Sequence, residues 1–332
     1  MYVEVENWFD TRTTRVGDWP IARLVDIKGA TRVSVVLPAL NEEATVGAIV
    51  TAIRHQLVER HGLVDELIVM DSGSTDGTHA VAADAGATVI RREEVLPGFR
   101  PLPGKGEVLW RSLAAATGDI VVYVDSDLHN FTSGFVAGLL GPLLTDPDVH
   151  LVKATYDRPL SHGEHLAPAG GGRVTELVAR PLINLYWPEL AGFVQPLSGE
   201  YAARRSLLEQ LPFPTGYGVE IGILVDALRL VGLAGLAQVD LHRRKHRNQE
   251  IDKLGRMASE IIQVVHTRLE REGRMRVEPP STTLVQWERS DDGYLPLALD
   301  VTPQERPPMY TVPEYLTTPG GRAFREARQR AS

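Results

Sequence analysis

Two carboxylates one residue apart, Asp125 and Asp127 on either side of Ser126, close the apolar run IVVYV at 120–124. Carboxylates so placed can share a divalent cation, or divide their work between a ribose and a cation. Alone, the pair reads more readily as loop and helix-cap residues, because Asp and Ser are common after strands and Asp-x-Asp recurs by chance. Two further segments change its weight. PALNEE at 38–43 and DSGSTDGT at 71–78 also follow apolar runs, and they bring a carboxylate, Glu42, and hydroxyls, Ser72 and Ser74. Capping competes as an explanation, since Asn41 can cap the helix that follows and Ser74 or Thr75 the next. Three strand ends delivering such loops to one edge are harder to assign to capping than any one of them.

The elements that must bring these residues together are legible as alternating patterns. VSVVLPA at 33–39, DELIVMD at 65–71, ATVIRR at 87–92 and DIVVYVDSD at 119–127 read as strands. Helical periodicity occupies about 43–58, 76–85 and 105–116 between them. Strands that are apolar nearly throughout and alternate with helices indicate an α/β class, a mostly parallel sheet covered by helices on both faces. Ligands of such sheets bind at the carboxyl ends of the strands. Further on lie a helix beyond 135, a strand at 149–156, a glycine-rich break at 167–172, helices at 173–186 and 219–230 with a turn at 198–205 between them, and a strand near 237–241. A long amphipathic pattern at 252–271 closes the compact part. The first thirty residues read as irregular, and proline density from 278 suggests an extended tail.

The 332 residues, 43% of them hydrophobic, can bury a substantial core. A net charge of -8 argues against nucleic-acid binding, which needs a dominant basic face. With no cysteine, disulfides, thiolate metal sites and a cysteine nucleophile are excluded, in keeping with a reducing cytoplasm. The N-terminus lacks the basic patch and apolar run of an export signal. The apolar stretch 221–239 is interrupted by Asp226, Arg229, Gly232 and Gly235, so no membrane insertion is expected.

PALNEE, DSGSTDGT and VDSD, in this order and spacing, make the chain resemble nucleotide-sugar-dependent glycosyltransferases of the GT-A fold over roughly residues 30 to 250. LPGKGEVLW, APAGGGRVTELVARPL, PLSGEYAARR, GYGVEIG and HRRKHRNQ are longer and more specific, and resemble the glucosyl-3-phosphoglycerate synthases of actinobacteria. The resemblance implies a nucleotide-sugar-binding half at 1–150, an acceptor-binding half at 151–275 and the tail at 276–332. It implies that Pro38, Ala39, Leu40, Glu42, Ser72, Asp125 and Ser126 hold the nucleotide of UDP-glucose. It also implies that Leu197, Tyr217 and Glu220 lie against the glucose. Lys105, between two glycines, fits a reach to the diphosphate where the backbone comes close, although a solvated lysine at a helix start is the plain alternative. Asp127 and His246 become ligands of Mg²⁺, with Mn²⁺ able to substitute, and His242 is the second candidate. For the acceptor, 3-phosphoglycerate, the helix start behind GGGRVT offers free N–H groups, with Gly172, Arg173 and Thr175 at the phosphate and Asn248 at the other end.

The implied reaction is transfer of glucose to the 2-hydroxyl of 3-phosphoglycerate with retention of configuration, the first step towards glucosylglycerate and methylglucose lipopolysaccharide. Asp127, Lys105, Arg244 and Glu220 would carry it, mainly by stabilising the departing UDP. Front-face attack is favoured over a carboxylate nucleophile, since no unassigned carboxylate presents itself. A mannosyl relative with a GDP donor, a polyprenyl-phosphate sugar synthase, a nucleotidyltransferase and a non-catalytic nucleotide-sugar-binding protein are the alternatives. A homodimer is expected from the family.

Overall fold

The computed structural model describes residues 2–157, 160–162, 165–167, 172–243, 251–276, 278–291 and 293–331. An eight-stranded sheet organises the chain. Its order is Thr13–Arg15, Leu236–Arg243, Leu151–Asp157, Tyr201–Arg204, Ile120–Tyr123, Val33–Ala39, Glu66–Asp71 and Thr88–Arg91. Neighbours run parallel except Tyr201–Arg204, which is antiparallel to both of the strands it separates. Alternate residues of each strand feed two separate cores. Val35, Leu37, Val122 and Val152 pack with the helices Val46–Ile53 and Ser133–Thr145 on one face. Val36, Tyr123, Leu151 and Tyr201 pack with Lys105–Ala115 and Val219–Val231 on the other. This is the GT-A architecture, a mostly parallel sheet covered on both faces.

Most strand and helix positions agree with the sequence patterns to within a few residues. The run at 119–127 pairs only as Ile120–Tyr123, which lets Asp125, Ser126 and Asp127 turn into the cleft above. Three segments differ. The first thirty residues are not irregular: helices Val3–Arg12 and Ile21–Lys28 bracket the edge strand Thr13–Arg15. Trp8 anchors them, with its indole N–H donating to the carbonyl of Leu236 at 2.8 Å. Residues 201–204, read as part of a turn, form the antiparallel strand; four residues are too few to show a period.

The segment after 278 is not extended throughout. It holds the hairpin Thr283–Ser290 with Gly293–Asp300, the short strand Glu305–Arg306 paired to Phe213–Pro214, and the helix Pro319–Ala331. Its proline content obscured elements that are fixed by tertiary contacts: Trp110 donates to the carbonyl of Pro307 at 2.8 Å, and the Arg306 guanidinium lies 5.1 Å from the Trp110 ring. Among the described residues, no helix is long and apolar enough to cross a membrane.

Candidate active site

Three adjacent strand ends build one wall. Beyond Val33–Ala39, Asn41 adopts φ 57°, and its side-chain carbonyl accepts the Thr75 N–H at 2.8 Å while its own N–H donates to Ser74 Oγ at 3.0 Å. Asn41 therefore joins the two loops, and the helix Val46–Ile53 begins at Thr45 without a side-chain cap. Glu43 accepts the Gly77 N–H at 2.7 Å, and the Glu42 N–H donates to Thr78 Oγ1 at 2.7 Å. Asp71 turns the second loop, accepting the N–H groups of Gly73 and Ser74 at 3.2 and 2.9 Å. The third loop is tied to the first: Ser126 Oγ donates to the Pro38 carbonyl at 2.9 Å, and Thr45 Oγ1 to the Ser126 carbonyl at 2.5 Å. Neutral bonds of this kind stabilise by about 1 kcal/mol each, but together they fix the edge as a rigid rim.

Lys105 stands opposite, at the first turn of its helix. Its ammonium is 2.5 Å from Asp125 Oδ1 and 3.1 Å from Glu220 Oε1, Glu220 being in the first turn of Val219–Val231. Burial works against the ammonium, but Asp125 and Glu220, with Glu200 adding, outweigh it and raise its pKa above the ordinary lysine value. Lys105 is thus held cationic between a strand end and a helix start. The glycines around it serve packing: a Cβ on Gly104, at φ +105°, would overlap the Thr215 carbonyl oxygen, and one on Gly106 that of Pro214. Gly199 was not singled out from the sequence, yet a Cβ there would overlap Asp125 Oδ2 and fall 2.5 Å from Lys105 Nζ. The Lys105–Asp125 pair fits only beneath a residue without a side chain.

A cavity of about 720 Å³ lies between these walls. It is lined by Pro38, Ala39, Leu40, Glu42, Ser72, Asp125, Ser126 and Asp127 from the strand ends, and by Lys105, Leu197, Tyr217 and Glu220 from the facing wall. Gly172, Arg173 and Thr175 line it too, Gly172 at φ +80° with the helical chain beginning at Arg173. Arg244, His246 and Asn248 lie outside the described residues. Sequence reading missed Arg92, whose guanidinium donates to Ser72 Oγ at 3.0 Å, and a wall made by 300–304 and the helix Ile251–Arg271. On that helix Glu260 accepts the Tyr217 N–H at 2.7 Å and pairs with Arg256 at 2.9 Å. Nothing in the local pattern marks these, since each acts across a long sequence separation.

The paired carboxylates of the Asp125–Asp127 loop suit a divalent cation. Asp125 and Asp127 both line the cavity, and one oxygen of Asp125 is bound by Lys105. Among the described residues no group of three or more His, Cys, Asp or Glu could hold a metal ion. His242 does not stand on a helix: it sits at φ 68° where the strand Leu236–Arg243 loses register, and its N–H donates to Asp240 Oδ1 at 2.8 Å.

The family model described as glycosyl transferase family 2 matches residues 34–169. A glucosyl-3-phosphoglycerate synthase of Mycolicibacterium smegmatis is 50% identical over 92% of this chain and 98% of its own length. The crystal structure of glucosyl-3-phosphoglycerate synthase from Mycobacterium tuberculosis, in complex with Mn²⁺, UDP and glucosyl-3-phosphoglycerate, superposes with a TM-score of 0.79 at 48% identity. It covers 90% of this chain, and 98% of that chain is matched. Mannosyl-3-phosphoglycerate synthase from Rubrobacter xylanophilus gives a TM-score of 0.86 at 41% identity, covering 92% of this chain and 99% of that one.

Proposed function

The chain belongs to the glucosyl-3-phosphoglycerate synthases, and from that membership we propose that its cleft moves glucose from UDP-glucose to the 2-hydroxyl of 3-phosphoglycerate with retention of configuration. The observation that carries the reading is the Lys105 ammonium held between Asp125 and Glu220 in a cleft large enough for both substrates. Pro38, Ala39, Leu40, Glu42 and Ser72 form the uridine side, where Arg92 orients the Ser72 hydroxyl. Gly172, Arg173 and Thr175 receive the acceptor phosphate at a helix start, where free N–H groups favour an anion. Asn248 and Arg244 would hold the remainder of the acceptor or the donor phosphates.

Asp127, with His246, would hold Mg²⁺ or Mn²⁺. When bound, the cation neutralises charge growing on the departing diphosphate. Lys105 adds a fixed positive charge that needs no proton transfer at neutral pH, a preorganised contribution of the kind that dominates many active sites. Glu220 has one oxygen bound by Lys105, which suits an acceptor of hydrogen bonds from glucose hydroxyls and not a nucleophile. Asp125 and Glu220 are both bound by Lys105, which supports front-face attack by the acceptor hydroxyl. The protein is further read as a cytoplasmic homodimer. Support for self-association comes from the exposed hairpin face bearing Val285, Trp287 and Tyr294, the last two 64% and 61% exposed.

The test is NMR of the product formed from UDP-glucose, Mg²⁺ and 3-phosphoglycerate. An α-linked glucosyl-3-phosphoglycerate is expected, with none when the acceptor is omitted. The likeness to the Rubrobacter xylanophilus mannosyl enzyme favours one second reading, a GDP-mannose donor. Faster turnover with GDP-mannose than with UDP-glucose would replace the donor assignment.

A further inference from the structure

Lys153 is 1% exposed, in the middle of the strand Leu151–Asp157. Burying an ammonium costs several kcal/mol unless its surroundings answer it, so its position calls for a reason. It belongs to a polar row that crosses one face of the sheet: Thr13, Gln238, Lys153, Tyr201 and Tyr123 are successive register partners. Residues of this row reach up to one connecting segment. Gln238 accepts the Val194 N–H at 3.0 Å and donates to the Gly192 carbonyl at 3.0 Å. Lys153 donates to the Ser198 carbonyl at 2.6 Å, below a turn closed by the Ser198 N–H on the Gln195 carbonyl. Tyr156, on the same strand, donates to Glu200 Oε2 at 2.7 Å and to Ser198 Oγ at 3.3 Å. The turn so held carries Leu197, on the cavity wall, and Gly199, whose lack of a Cβ admits the Lys105–Asp125 pair.

We propose that Lys153 is a positioning residue for the donor sugar: from beneath the 195–198 turn it sets Leu197 and Gly199 against Lys105, Asp125 and Glu220. The assignment rests on the donor reading above, which places the hexose at Leu197 and Glu220. Charge supports it. Burial and the Lys105 ammonium lower the Lys153 pKa to about 8, while Glu220, Glu200 and Asp125 oppose them and keep it protonated at neutral pH. Two ammonium groups thus sit among three carboxylates, and removing Lys153 would leave a single ammonium to balance the sugar side of the cleft.

Lys153→Met is to be compared with wild type for kcat/KM on UDP-glucose, for the acceptor KM, and by calorimetry for the Kd of UDP and of UDP-glucose with Mg²⁺ present. UDP lacks the hexose and reports the rest of the donor site. At least a tenfold fall in kcat/KM on UDP-glucose is expected, with UDP affinity and acceptor KM within threefold of wild type. Tyr156→Phe loosens the same turn without removing a cation, and covers the case in which Lys153→Met does not fold; a loss of about threefold in the same pattern is expected. Unchanged kcat/KM in either folded variant, or UDP affinity falling in step with it, overturns the proposal. A wild-type enzyme making no product from UDP-glucose would count against the functional reading instead, and the UDP-glucose against UDP affinity difference then decides the role of Lys153.

Discussion

Lys105 shows how much of this site depends on single atoms in place. Its pairings with Asp125 and Glu220 require that nothing project from position 199. Gly199→Ala would push a methyl group into that pair while changing no charge, and kcat/KM is expected to fall at least tenfold, about 1.4 kcal/mol in the transition state, in steady-state assays. A variant of wild-type activity would mean that the pair is not needed as built. Asp127→Ala separates the metal role from the fold: transfer should be lost at any Mg²⁺ concentration while the thermal unfolding midpoint stays within a few degrees. Arg173→Ala should raise the acceptor KM at least tenfold and leave the UDP-glucose KM within twofold. Equal effects on the two substrates would move the phosphate site elsewhere.

Among the elements, the helix Lys105–Ala115 carries the most consequence, because its first turn is wedged against the 214–215 backbone. The Gly106 N–H donates to the Thr215 carbonyl at 2.9 Å, and any side chain there would meet the Pro214 carbonyl. Gly106→Ala is expected to lower the denaturant midpoint by an amount equivalent to about 2 kcal/mol or more, the scale of an overpacked core site. A midpoint matching wild type would show the contact to be soft. The parallel strands and their helices were legible because each is long enough to show a period, and because PALNEE, DSGSTDGT and DSD follow apolar runs. The glycines on either side of Lys105 are also readable in the sequence, and in the structure they admit the neighbouring 214–215 backbone. Tyr201–Arg204 was hidden by its brevity, and the Thr13–Arg15 edge strand by its place among polar residues. Gly199, Arg92 and Lys153 act on groups 20 or more residues away, or from beneath the surface they serve, so no spacing rule marks them.

At the scale of the whole molecule, the segments Glu305–Arg306 and Pro313–Thr317 are part of the body and not an appendage. Arg306 pairs with the buried Glu107, which Arg111 also holds, and Arg111 in turn donates to carbonyls of the 92–99 segment, among them Phe99 at 2.6 Å. Tyr315 is buried against Arg205 and Glu209, donating to the Glu209 carboxylate. A chain ending at 300 would leave Glu107, Trp110 and Glu209 without these partners and is expected to be insoluble or unfolded by circular dichroism. Glu209 also gives the closure a pH dependence. Burial, only partly offset by Arg205 and Tyr315, raises its pKa to about 7 from an unfolded value of 4.5. Between those two values the folded protein holds a proton that the unfolded chain has released, so stability falls as pH rises through the window, by on the order of 3 kcal/mol if nothing else titrates. Other carboxylates titrate as well, but Glu209→Gln removes this contribution alone while keeping a side chain that can accept the Tyr315 hydroxyl. The variant should therefore gain on wild type as pH rises from about 4.5 to about 7 in thermal melts, and the difference should level off above that. Parallel curves for the two proteins would mean that Glu209 is already ionised in the folded state, with Arg205 as its counterion and no switch in the C-terminal closure.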